Sequence, residues 1–205
     1  MTRALSEQEI VRRESLQKLR DLGIDPYPAH MFDVDCTSKK IKENYKEGEE
    51  HSVVIAGRLM SRRIMGKASF AEAQDSEGRI QLYFNRDEIC EGEDKTLYND
   101  VLKKLLDIGD FIGLEGVLFT TQVGEKSLRV KKFSLLSKSL KPLPLPKTDN
   151  EGSVHDAFTD PEMRYRQRYV DLVVNPQVKK TFITRTKVMN EMRSFFNEKG
   201  YFEVE

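Results

Sequence analysis

The stretch SRRIMGKASFAEAQDSEGRIQLYF, Ser61 to Phe84, alternates as two short strands about a turn, and its reading decides the architecture around it. In its second half Ile80, Leu82 and Phe84 alternate with Arg79, Gln81, Tyr83 and Asn85, so the even-numbered apolar residues face a core and Gln81 points outward. In its first half Ser69, Ala71 and Ala73 are small and uncharged, whereas Phe70, Glu72 and Gln74 share the other face. Pairing Asp75 with Gly78 across a Ser76-Glu77 turn makes cross-strand partners sum to 153 and sets Phe70 opposite Tyr83 and diagonal to Gln81. A ring therefore stands on the polar face beside an amide, with Arg62, Arg63 and Lys67 close by. "GKAS" at Gly66 lacks the first glycine of a phosphate-binding loop and reads as a polar turn.

Working outward, SVVIAGRLMSRRIM, KASFAEAQD, RIQLYFN, DFIGLEGVLFTT and SLRVKKFSLL are five strand candidates, with the helical pattern LYNDVLKKLLD between the third and fourth. That order is the order of an OB-fold, a partly open Greek-key barrel that commonly binds oligonucleotides on its second and third strands; other small barrels are the alternative. Glycines 57, 113 and 116 fall within strand patterns, where such a barrel needs bends or bulges. Upstream, Ser6 and Glu9 form a capping-box pattern, and SEQEIVRRESLQKLRDLG reads as a helix stopped by Gly23. Ile10, Leu16 and Leu19 give it a thin apolar stripe, and Arg12, Arg13, Lys18 and Arg20 crowd the rest. A short helix is expected near TSKKIKENY. The fold expected is thus mainly β, a five-stranded OB-fold barrel with an N-terminal helix.

Composition excludes several classes. The 205 residues balance 34 basic against 34 acidic side chains, so net charge gives no reason for generic polyanion binding. No apolar run approaches the roughly 18 residues of a membrane span, and the N-terminus has no signal-peptide core. A cytoplasmic protein is expected. Cys36 and Cys90 are isolated and the three histidines scattered, so neither a disulfide framework nor a metal site is expected. Charge is segregated by window. Residues 52–71 carry Arg58, Arg62, Arg63 and Lys67 with no acid; residues 125–141 carry Lys126, Arg129, Lys131, Lys132, Lys138 and Lys141 against Glu125; residues 85–110 are net acidic.

An outward aromatic beside an amide and a guanidinium is the equipment single-stranded nucleic acid requires. A base stacks on the ring, its edge meets the amide, and the cation meets phosphate or a base carbonyl. The alternatives are a ring covered by the N-terminal helix and an exposed ring without a role.

Three further stretches, KPLPLPKTDNEG, DPEMRYRQRYVDLVVNP and FFNEKGYFEVE, join the first in carrying a family likeness. Together they resemble class II aminoacyl-tRNA synthetases of the lysine, aspartate and asparagine subgroup, and within it the bacterial lysyl enzymes. The resemblance implies an OB-fold that grips the tRNA anticodon, with the central uridine stacked on Phe70 and read by Gln81 and Arg63. Arg58, Arg62 and Tyr83 are weaker candidates for the same surface, and Arg12 and Arg13 for a contact to the anticodon stem. Aspartyl and asparaginyl enzymes share these features, because their anticodons also carry a central uridine. RRIMGKASF, RYRQRYVDL and KPLPLPK favour the lysine type.

The resemblance also sets expected boundaries: a helical extension over 1–50, the anticodon-binding domain over 51–140, a linker over 141–160, and the beginning of a catalytic domain over 161–205. PQVKKTFITRTKVMNEMRSFFNEKG reads as an amphipathic helix with Val178, Phe182, Val188, Met192, Phe195 and Phe196 on one face. KGYFEVE resembles the start of class II motif 1, the element of the dimer interface. The expectation is a fragment that binds tRNA for lysine, with no catalytic, cofactor or metal residues of its own. ATP, Mg²⁺ and a homodimer are implied for the full-length enzyme. A free-standing OB-fold binder of single strands is the competing reading.

Overall fold

The computed structural model describes residues 4–46, 48, 51–148, 154–155 and 157–204. They divide into two compact units, Met1–Pro142 and Leu143–Glu205.

The first unit is built on β1 (Ser52–Met65), β2 (Ala68–Gln74), β3 (Arg79–Asn85), β4 (Phe111–Thr120) and β5 (Lys126–Ser137). Their order is β1-β2-β3-β5-β4, and the fourteen-residue β1 closes the ring by pairing with β2 through its second half and with β4 through its first. The long strand bends where its register slips between Leu59 and Ser61. At a second bulge, between Glu115 and Gly116, a Cβ on Gly116 would stand 2.2 Å from the Arg129 carbonyl oxygen, so only glycine lets β4 and β5 approach there.

The expected fold class is corrected on three counts. The chain is not mainly β, because helices hold more of the described residues than strands do. Nor is the sheet antiparallel throughout, as a Greek key of hairpins would make it: β3 and β5 run parallel over Gln81–Phe84 and Ser127–Val130, giving a mixed sheet. Finally, the ring of pairings is complete rather than partly open. The strand patterns are legible in the sequence, and the helices around and after the barrel outweigh them in residues.

Alternation works as read. Ile80, Leu82 and Phe84 are buried together with Leu59, Ile112, Leu114, Leu128 and Val130 in one apolar cluster. The helix between β3 and β4, Leu97–Leu105, is π-wound, with the Leu106 N–H reaching the Val101 carbonyl at 2.9 Å. It buries Tyr98, Val101, Leu102 and Leu105, and the Tyr98 hydroxyl meets the buried Ser69 hydroxyl at 2.7 Å.

α1 (Glu7–Asp21) has the expected capping box, Ser6 with Glu9, but of the expected apolar stripe only Leu19 is fully buried. Ile10 is exposed, and the inward residues are Glu9, Arg12, Ser15 and Leu19. α2 (Ser38–Asn44) is tied to the β2–β3 turn, where Asp75 accepts hydrogen bonds from the Ser38 backbone and hydroxyl and from the N–H groups of Glu77 and Gly78. α3 (Arg86–Ile89) follows β3 directly. Lys138 is buried at the end of β5 between Asp107 and Asp110, the latter at 2.8 Å.

In the second unit, β6 (Lys147–Thr148) pairs with β7 (Val154–His155). α4 (Pro161–Arg166), α5 (Arg168–Val174) and α6 (Pro176–Glu198) follow. Asp171 is buried and accepts from Arg164, Arg168 and Asn175, which joins the first two of these helices. Phe182, Val188, Met192, Phe195 and Phe196 of α6 are exposed. The motif-like Tyr201–Val204 is described without helix or strand.

Candidate nucleic-acid interface

The β2–β3 hairpin has the register derived from its sequence. Asp75 N–H donates to the Gly78 carbonyl at 3.0 Å, and Phe70 pairs with Tyr83. Their ring centroids are 5.2 Å apart with planes tilted by 54°, which leaves a broad aromatic surface on the outside of the sheet. On the other side of Phe70, Arg63 of β1 is its direct cross-strand partner. Phe70 is half-buried and Arg63 exposed, and no described residue of α1 lines the open space they share.

Arg63, Phe70 and Gln81 line one open cavity of about 550 Å³ together with Ser61, Arg62, Ala71, Glu72 and Glu125. Ala71 is buried beneath the platform. Gln81 is held from below: the fully buried Ser127 hydroxyl lies 2.8 Å from its Oε1 and donates to it. With its oxygen engaged, the amide presents N–H donors to the cavity, the polarity suited to a base carbonyl. Two carboxylates border the space. Glu72 is paired with Arg79 at 3.0 Å and Glu125 with Lys42 at 3.3 Å. Each retains oxygen lone pairs that accept from a base N–H. The cavity thus offers a stacking face, donors, acceptors and, at Arg63, a guanidinium with neither a hydrogen-bond nor an ion-pair partner among the described residues.

The other candidates are placed differently. Tyr83 extends the aromatic surface. Arg62 borders the cavity, but its Nη1 donates to the carbonyls of Leu102 and Leu106, the latter at 2.8 Å, and so closes the end of the π-wound helix. Arg58 donates to the Gly109 carbonyl at 2.8 Å and lies over the Phe111 ring. Burial lowers the pKa of both guanidiniums from the ordinary value, against the pull of Asp110 and, at Arg62, of Asp107. Arg12 is buried and donates to Ser139 and Ile108 carbonyls, each at 2.9 Å, so it pins α1 to the segments just before β4 and just after β5. Arg13 donates to Glu9 of its own helix at 3.1 Å. The charge window drew these arginines together; the structure separates Arg63 from them.

Sequence reasoning missed Ser127 and Glu125. A signal was present, since Glu125, Ser127 and Arg129 have the parity opposite to the core residues Leu128 and Val130. Their proximity to Gln81 depends on the parallel β3–β5 pairing, which no local pattern encodes.

Residues 53–136 match the family described as OB-fold nucleic acid binding domain, and residues 160–205 match tRNA synthetases class II (D, K and N). Over 98% of its length the chain is 69% identical to lysine–tRNA ligase of Christiangramia forsetii. The lysine–tRNA ligases of Porphyromonas gingivalis and Azobacteroides pseudotrichonymphae are 60% and 56% identical, again over 98% of this chain. The chain spans 35–40% of the length of these ligases.

Proposed function

We propose that this chain is the anticodon-binding part of a lysine–tRNA ligase, and that Phe70, Gln81 and Arg63 hold the central anticodon base. The observation that carries this reading is the convergence of a ring, an oriented amide and an exposed guanidinium on one cavity. A uracil stacked on Phe70 directs a carbonyl at the Gln81 amide, whereas cytosine offers an amino group where the protein already presents donors. Residues 51–140 form the binding domain, 1–50 a helical extension, 141–160 a linker and 161–205 part of the class II catalytic domain. The match over residues 160–205 supports a ligase over a free-standing binder of single strands, and the names of the relatives support lysine over aspartate or asparagine. No helix among the described residues is long and apolar enough to cross a membrane. No group of three or more His, Cys, Asp or Glu placed to hold a metal occurs among them either. Attachment of lysine using ATP and Mg²⁺, by a cytoplasmic homodimer, is proposed for the complete enzyme.

The test is titration of an anticodon stem-loop of tRNA for lysine with U, C or A at the middle position, using wild type and Gln81→Ala. Wild type is expected to prefer U, with the preference over C narrowed in the variant. Equal binding of all three loops by wild type would overturn the reading.

A further inference from the structure

Arg63 and Phe70 are direct partners across β1 and β2, and the residue before each of them, Arg62 and Ser69, is tied to the π-wound helix Leu97–Leu105. Ser69 is buried, and its hydroxyl meets the fully buried Tyr98 hydroxyl at 2.7 Å. The Tyr98 hydroxyl in turn donates to the Gly66 carbonyl, 3.4 Å away in the turn that joins the two strands. Arg62 donates to the Leu102 and Leu106 carbonyls, the latter at 2.8 Å. One helix thus grips the hairpin on both sides of the base-binding pair, at Ser69 through its first turn and at Arg62 through its last.

The winding of the helix makes the second grip possible. A π-type bond runs from an N–H to the carbonyl five residues earlier, as from Leu106 to Val101 at 2.9 Å. The next N–H, that of Asp107, would take the Leu102 carbonyl in the same way. It donates instead to the Asp110 carboxylate at 2.7 Å, and the buried Lys138 holds that carboxylate at 2.8 Å. The Leu102 carbonyl is thereby left for Arg62. At the other end Tyr98 is fixed by burial, with the Lys103 ammonium over its ring at 4.9 Å. A single peptide unit separates each gripped residue from a base-binding one, and successive strand residues point to opposite faces. The grip is therefore taken on one face of the hairpin and felt on the other.

We infer that the π-wound helix is the positioning element of the base-binding pair, with Tyr98 as its positioning residue. The inference rests on the proposed anticodon reading and deepens it. Tyr98 touches no base. By holding Ser69 and Gly66 it fixes the β1–β2 turn, and with it the spacing between the Phe70 ring and the Arg63 guanidinium that one base has to fill. Such a site works only when its contacting side chains are held within about 0.5 Å of the productive geometry by supporting packing and hydrogen bonds. Local π-winding is frequent at functional sites, and here it supplies the free carbonyl that anchors the neighbour of Arg63.

The experiment titrates the 205-residue chain with anticodon stem-loops carrying U or C at the middle position, and melts each protein thermally. The proteins are wild type, Phe70→Ala, Tyr98→Phe, Tyr98→Phe with Ser69→Ala, and Tyr98→Phe with Phe70→Ala. Tyr98→Phe leaves the buried Ser69 hydroxyl without its partner and should melt below wild type, whereas adding Ser69→Ala removes the stranded group and should restore much of the melt. Binding should not follow stability. Tyr98→Phe, alone or with Ser69→Ala, should bind the U loop several-fold more weakly than wild type per folded molecule, with the preference for U over C narrowed. In the Phe70→Ala background Tyr98→Phe should cost markedly less, because the two residues act through one ring. If Tyr98→Phe with Ser69→Ala binds and discriminates like wild type, or if Tyr98→Phe costs as much without the Phe70 ring as with it, Tyr98 serves the fold alone and the inference is overturned, while a weakly binding Phe70→Ala keeps the anticodon reading. If Phe70→Ala itself binds like wild type, the anticodon reading fails and this inference with it.

Discussion

Arg62 and Leu106 are joined by a 2.8 Å hydrogen bond from guanidinium to backbone carbonyl, whereas the next residue along β1, Arg63, opens onto the cavity with no such partner among the described residues. Adjacent arginines in one basic run therefore hold different tasks. Arg62→Ala leaves buried carbonyls of the π-wound helix unsatisfied and should lower unfolding stability by about 1–3 kcal/mol. Arg63→Ala should leave the urea midpoint near that of wild type and weaken stem-loop binding more, per folded molecule, than Arg62→Ala does. Paired urea and binding titrations read both effects.

The same contrast is expected in α1. Arg12→Ala removes the donors that hold this helix to the Ser139 and Ile108 carbonyls, whereas Arg13 donates to the Glu9 carbonyl of its own helix. Arg12→Ala should lower Tm by several degrees, and Arg13→Ala should change it little. Equal melting of the two variants would show that the docking of α1 does not depend on Arg12.

Period-two alternation at Ile80, Leu82 and Phe84 made the hairpin and its outward face legible, because a one-residue slip would have exposed three large apolar groups. The Asp75–Gly78 turn then fixed Phe70 against Tyr83. Long-range facts were not legible. The parallel pairing that places Ser127 under Gln81 joins residues 46 positions apart, and Arg12 reads as a solvent-facing cation until its distant carbonyl partners are known. Charge windows failed for a related reason. They count ionisable groups but cannot tell a buried Lys138 from an exposed Arg129.

Ser127 offers a way to test whether the Gln81 amide is oriented. Ser127→Ala removes the hydroxyl that holds Oε1, so the amide can present either its oxygen or its nitrogen to a base. Discrimination of U from C at the middle position should narrow several-fold, while affinity for the U loop falls less. Unchanged discrimination would mean that the orientation of Gln81 is set elsewhere.

Acid should weaken the tie between α2 and the hairpin. Burial pushes the Asp75 carboxyl up, but hydrogen bonds from Ser38, Glu77 and Gly78 outweigh it and hold the pKa below the usual carboxylate value. A carboxyl depressed on folding stabilises above its unfolded pKa of about 3.9, and the contribution is lost as pH falls through the lower folded value. Asp75→Asn should therefore be less stable than wild type at pH 7, with the difference shrinking below about pH 4. Melting curves from pH 7 to pH 2.5 check the sign. A gap that widens toward acid would contradict it.

The central claim is that the Phe70 ring is a base platform, and stem-loop binding by Phe70→Ala addresses it most directly. The ring is half-buried on the outer face and absent from the buried core, so its removal should leave a folded chain with a near-native melt. Binding of a loop with U at the middle position should weaken by about 1–3 kcal/mol, the contribution of one stacked base. A folded Phe70→Ala protein that binds this loop as tightly as wild type would contradict the account.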